Sequence, residues 1–160
     1  MSGFAEPIPA CPFHYSKDLD VNQVAILYPV FVQVLLVYVV AMLMSRARRR
    51  AIKTPDRETM RSVAMGDFAW PDDAAKCAAN YTNQFEIPVL FYAVAAFALI
   101  VKGADTIMIA LAWVFVLSRL LHAYIHIGSN RVKIRAPVFM LGALVVLIMW
   151  VKLFLHVALV

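Results

Sequence analysis

Residues Thr106–Asn130 read TIMIALAWVFVLSRLLHAYIHIGSN, and this stretch decides the fold. Ile107–Leu117 is an unbroken apolar run, and polar side chains begin at Ser118. At the helical 100° per residue, Arg119, His122, His126 and Asn130 fall within about 80° of one another. A charge inside a hydrocarbon-spanning helix costs several kcal/mol unless it faces protein, water or a partner. The stretch therefore reads as a membrane span with a polar stripe turned inward, and that stripe points to a site.

The rest of the chain agrees with a membrane setting. Of 160 residues, 63% are hydrophobic and only 16% are charged. Mean hydropathy is +0.77. A span takes about 20 apolar residues. Spans are expected at 23–46, 74–101, 105–128 and 135–158, with a polar outer tail at 1–22 and a cytoplasmic loop at 47–73. These use nearly the whole chain, so a single all-α, integral membrane four-helix bundle is expected over residues 1–160. The tail is polar and Pro-rich with no basic region ahead of an apolar one, unlike a cleavable signal peptide. The first span is expected to remain as an uncleaved anchor.

Charge sets the orientation. Arg46, Arg48, Arg49, Arg50, Lys53, Arg57, Arg61 and Lys76 lie on the side that also holds Arg131, Lys133 and Arg135. The opposite side has Lys17 and Lys102. The positive-inside rule puts the two basic loops in the cytoplasm and both termini outside. The net charge of +5 is thereby explained by topology, so nucleic-acid binding is not expected. Anionic lipid headgroups suit the Arg46–Arg50 run better. The same reasoning puts Cys11 and Cys77 on opposite faces, which excludes a disulfide between them. A bacterial inner membrane is the expected location; an endoplasmic reticulum membrane would give the same charge pattern.

Local signals refine the spans. Pro29 sits in the first turns of its helix, where a missing donor costs least. A short interfacial helix is expected near 56–65. Asp72 and Asp73 mark a helix start, where acids meet the positive end of the dipole. Pro88 predicts a kink just beyond Glu86. Lys102–Asp105 is too short for anything but a hairpin turn. Lys152 and His156 are expected to snorkel outward.

Two polar half-helices share one leaflet. Asn80, Asn83, Gln84 and Glu86 face Arg119, His122 and His126 across the hairpin, with Glu86 and Arg119 each about 12 Å deep. Matching depth predicts an ion pair between them. Seven polar groups exceed what bundle locking needs, since interhelical polar bonds in membranes average about 0.6 kcal/mol. A polar cavity open to the cytoplasm is expected. Its cationic balance favours an anion, such as a small carboxylate-bearing molecule. Three other chemistries are open to these residues. His122 and His126, spaced i to i+4, could join Glu86 on a metal, though no HExxH pattern occurs and Arg119 disfavours a cation. Ser118 with His122 could form a nucleophile pair, without an orienting third group. Glu86 and the histidines could carry protons.

Four segments together resemble one family. NQFEIPVLFY, with Asn83, Glu86 and Pro88, is similar to the second-helix signature of the MAPEG family, the membrane-associated proteins in eicosanoid and glutathione metabolism. LSRLLHAYIH, with Arg119, His122 and His126, resembles its third-helix motif. RRRAIKTP resembles the basic end of its first helix and KIRAP the start of its fourth. The resemblance covers roughly residues 24–157, in the right order. It implies a four-helix bundle forming a homotrimer, with glutathione between subunits toward the cytoplasm. By resemblance Asn83 and Glu86 hold the glutathione backbone, with Asn80 and His122 beside them, and Arg119 a carboxylate or peptide group. Lys133 or Arg135, with His126, lies near the thiol, and Arg49 or Arg50 reaches in from a neighbouring subunit. Two positions depart from the pattern: Ala79 stands where well-characterised members carry Arg, and His126 near where they carry Tyr.

The resemblance implies a glutathione-dependent transferase or peroxidase acting on lipophilic electrophiles through an activated thiolate, glutathione being the co-substrate. A non-catalytic member binding a lipid or a partner membrane complex through the same cavity is the alternative.

Overall fold

The structure is a computed structural model that describes residues 21–53 and 55–159; Cys11 and the rest of residues 1–20 lie outside the described residues. Among the described residues seven helices follow in order: α1 (Val21–Val24), α2 (Leu27–Ala51), α3 (Arg57–Met65), α4 (Asp72–Asn83), α5 (Ile87–Ile100), α6 (Thr106–Ile127) and α7 (Val132–Ala158). No strand occurs among the described residues. α4 and α5 together form one span, so four helical segments of 22 to 29 residues are long and apolar enough to cross a bilayer. Their outward surfaces carry Tyr28, Phe31, Leu35, Ile100, Leu117, Tyr124, Leu147 and Phe154, all exposed. So much exposed apolar surface has hydrocarbon as its natural solvent.

Helix ends follow local chemistry. Asp105 caps α6 by accepting from Met108 N at 2.9 Å. Asp56 does the same for α3 with Thr59 N at 3.1 Å. Gly66, at φ 84°, ends α3 in the left-handed conformation that glycine adopts without a steric penalty. The break between α4 and α5 falls at Gln84–Glu86, just before Pro88, as its missing N–H and ring clash dictate.

α6 and α7 share the largest interface, and α2 packs on α4 and α6. Gly142 brings α6 and α7 together: a Cβ there would sit 2.8 Å from Ser118 Oγ. The half of the bundle that carries the α5–α6 turn is an apolar plug of Ile26, Phe91, Val94, Met108, Phe115, Val145 and Met149, all buried. Phe91 and Phe115 stack at 4.5 Å between ring centres.

The end that carries the α5–α6 turn is tied down by polar contacts. Lys152 Nζ donates to Asp105 Oδ2 at 2.7 Å, and His156 Nε2 lies 3.2 Å from Val101 O. Lys152 and His156, expected to snorkel outward, both engage the α5–α6 hairpin. Gly103 packs so closely on the His156 ring that a Cβ would lie 2.9 Å from it. Asp105 stays ionised below the usual carboxylate range. Partial burial opposes this, but the Lys152 ammonium and the Met108 N–H outweigh it.

Candidate functional site

Below the plug the bundle turns polar. Gln33 Nε2 donates to Gln84 Oε1 at 3.0 Å, and Gln84 Nε2 reaches Asn80 Oδ1 at 3.2 Å and Asn80 O at 3.3 Å. All three side chains are fully buried. The chain of amides joins α2 to the α4–α5 break, so the three residues hold that break in place. Gln33 Oε1 and Asn80 Nδ2 have no protein partner.

Arg119 lies next to the break, 1% exposed. Its Nη2 donates to Asn83 O at 3.1 Å, and its guanidinium sits over the Phe139 ring at 5.3 Å. Asn83 is the last residue of α4, and the break leaves its carbonyl outside the helical ladder. Arg119 therefore acts as a buried cap on that carbonyl. Its Nε and Nη1 have no protein partner. The expected ion pair between Arg119 and Glu86 is not made: the one ion pair within 4.0 Å among the described residues is Lys152 with Asp105. The reason is geometric. The break turns Glu86 outward, where it is exposed, while the freed Asn83 carbonyl takes its place as the partner of the guanidinium.

One open groove, about 640 Å³ in volume, gathers much of the remaining polarity. α4 and the break supply Ala75, Lys76, Ala79, Thr82, Asn83 and Glu86; α6 and α7 supply His126 and Arg135, with Asn130 from the turn between them. Arg135 Nη1 donates to Asn130 Oδ1 at 2.6 Å, which holds the guanidinium on the groove wall. Asn130 adopts φ 48°, a left-handed turn that Asn tolerates. Asn83 Nδ2 lies 3.4 Å from His126 Nδ1 across the groove floor. The His126 and His122 rings meet edge-on at 5.5 Å.

The sequence-predicted site residues thus divide into three groups. Asn83, Glu86, His126 and Arg135 line the groove. Asn80, Arg119 and His122 are buried and absent from its lining; neither ring nitrogen of His122 has a protein partner. Arg49 and Arg50, at the end of α2, and Lys133, in the first turn of α7, are exposed and also absent from the lining. Sequence reasoning missed Ala75 and Thr82, and gave Asn130 no function. The signal was present: residues 75, 79 and 82 are spaced by four and three along one face of α4. Among the described residues, no three His, Cys, Asp or Glu side chains gather as a metal set.

This groove can bind a mainly anionic ligand. It offers the cations Lys76 and Arg135, the carboxylate of Glu86, and neutral donors and acceptors from Thr82, Asn83 and Asn130. No curated protein and no solved structure matches the chain. The family model described as MAPEG family matches residues 26–155. With four helices suited to crossing a bilayer and that match over most of its length, the chain belongs to the MAPEG family as an integral, multi-pass membrane protein.

Proposed function

We propose that the groove binds glutathione and that the protein is a glutathione-dependent transferase or peroxidase for lipophilic electrophiles, acting at the cytoplasmic membrane face. The observation that carries this reading is charge complementarity. Glutathione has two carboxylates and an ammonium at neutral pH. The groove presents Lys76 and Arg135 to the former and Glu86 to the latter. Its volume lies in the range of ligand pockets, roughly 300–1,000 Å³. MAPEG membership includes such enzymes and supports the same reading.

In this reading Asn83 and Glu86 hold the glutathione backbone. Arg119 and Asn80 act from behind by fixing the break that presents those two, and His122 packs edge-on against His126. The groove favours Arg135 over Lys133 as the group beside the sulfur. A guanidinium there lowers the thiol pKa, so the thiol proton leaves to water. The thiolate then forms a C–S bond to an electrophilic carbon, and the leaving group departs with its electron pair. With a hydroperoxide the sulfur takes the terminal oxygen and an alcohol leaves; a second glutathione displaces the resulting hydroxide as water and gives the disulfide.

We place both termini outside and the groove inside, by the positive-inside rule, in a bacterial inner membrane. The assembly is a homotrimer of single-domain subunits. Glu86 supports an oligomer: it sits midway along Asp72–Ile100 and is exposed, so in a lone subunit an ionised carboxylate would face hydrocarbon. A neighbouring subunit, carrying Arg49 and Arg50, covers the groove. A second reading rests on Ala79, which stands in the groove wall where the resemblance leads one to expect Arg: a non-catalytic member binding a lipid or a partner membrane complex.

Thermal unfolding of the purified protein with and without millimolar glutathione tests the proposal. A ligand at 100 times its dissociation constant adds about 2.7 kcal/mol. No shift, together with no conjugation of a chlorinated aromatic, would overturn it. A shift without turnover would favour the second reading.

A further inference from the structure

α3 presents a paradox. It has nine residues, is capped at both ends by Asp56 and Gly66, and buries none of its residues. An isolated helix below about 12–15 residues is marginal in water, because nucleation is costly and few bonds repay it. Caps help, but most helical stability in proteins comes from packing an apolar face. Among the described residues α3 makes no substantial contact with another helix. Whatever covers its exposed face lies outside the described chain.

The outward face identifies the cover. Arg57, Met60, Arg61 and Ala64 fall within about 100° of one another at helical spacing. All four are exposed, as is Met65 at the C-terminal end, while Thr59, Ser62 and Val63 on the other side are half-buried. Thioethers and paired guanidiniums on one face suit the boundary between acyl chains and headgroups. The level is right, because α3 links the ends of α2 and α4, where two spans leave the bilayer. Phe68 and Trp70 follow, edge-on at 4.8 Å, and Arg48 lies 4.8 Å over the Trp70 ring. Aromatic rings of this kind mark the interface.

The sign of the surface follows from charge. Over residues 46–67 Arg46, Arg49, Arg50, Lys53, Arg57 and Arg61 are exposed, against the exposed acids Asp56, Glu58 and Asp67; the exposed Asp72 and Asp73 follow at the start of α4. We propose that α3, with the basic run preceding it, is a docking face for an anionic phospholipid surface. The helix lies in the interface plane, Met60 and Met65 toward the acyl chains and the guanidiniums toward phosphates. This contact is independent of the groove and of whether glutathione binds there. It anchors the loop joining α2 to α4, and α4 carries most of the groove wall.

The test uses the full-length protein with Cys11→Ser and Met60→Cys, Cys77 being buried. A polarity-sensitive fluorophore on residue 60 is read after reconstitution into phosphatidylcholine vesicles with or without phosphatidylglycerol, both containing brominated acyl chains. Quenching and a blue shift are expected with the anionic lipid, reversed by molar salt or by Arg57→Glu with Arg61→Glu. Each arginine near such a surface changes partitioning by roughly fivefold. Equal quenching in neutral and anionic vesicles would refute the anionic preference. A blue shift without quenching would show a protein cover instead, and no shift would show a solvated helix; either overturns the proposal. Retention of the shift in the Glu variant would overturn it as well.

Discussion

Replacing Gly142 by alanine tests the packing that holds the polar half of the bundle. The new methyl would sit 2.8 Å from Ser118 Oγ, where ordinary contact begins near 3.4 Å. Ser118 is ill placed to yield, because its hydroxyl is buried and donates to Phe115 O at 2.6 Å. Overpacking of this kind costs about 1–3 kcal/mol. Against it stands the gain of removing glycine from a helix, about 1 kcal/mol. The net expectation for Gly142→Ala is a loss of roughly 0–2 kcal/mol. The sign should reverse once Ser118 is alanine. The next nearest atoms are then Arg119 Cδ and Phe115 Cδ2, both at 3.7 Å, which is ordinary contact. On a Ser118→Ala background, Gly142→Ala should therefore stabilise by about 1 kcal/mol, or roughly 2–4 °C in midpoint for a chain of this size. Thermal unfolding of the four proteins in one detergent completes the cycle. If Gly142→Ala has the same effect with and without the Ser118 hydroxyl, the close approach of α6 and α7 at this point is wrong.

Other outcomes follow from the site and the caps. Gln33→Leu should cost about 1–3 kcal/mol by leaving the buried Gln84 Oε1 without its donor, and Gln33→Leu with Gln84→Leu should recover part of it in thermal unfolding. Arg135→Ala should raise the glutathione dissociation constant about tenfold or more by calorimetric titration, whereas Lys133→Ala should leave it nearly unchanged; equal effects would remove Arg135 from its special position. Asp105 titrates below the ordinary carboxylate value when folded. Its contribution is then full above that ordinary value and lost as pH falls through the depressed one, so the acid limb of a stability profile should flatten in Lys152→Met. A limb unchanged by that substitution would show that Lys152 does not lower the Asp105 pKa.

Patterns with one dominant cause were legible in the sequence. Apolar length predicted four spans, Pro88 predicted an interruption near Glu86, found at Gln84–Glu86, and the composition of 56–65 predicted α3. Depth along each helix also brought the polar residues of α4 and α6 to one end of the bundle. Depth could not say which atoms meet. A carboxylate and a guanidinium at one level read as an ion pair, yet a helix break creates a competing acceptor in the backbone. Asn83 O is that acceptor, and side-chain inventories do not count carbonyls. Arg49, Arg50 and Lys133 lie exposed at helix ends, away from the groove wall of their own chain. The partner that Lys152 meets, Asp105, was not legible because it stands 47 residues away.

The apolar plug has a consequence for ion flow across a bilayer. Phe91 and Phe115 each lie nine residues from the α5–α6 turn end of their helices, or about 13 Å. Water and ions entering by the polar half meet this layer before they reach the other side. A hydrated path through it would let protons run down the electrochemical gradient, each releasing about 2.3 kcal/mol per 100 mV. The plug is therefore electrical insulation: it lets the chain carry buried cations and open amide groups deep in the bilayer without discharging the membrane.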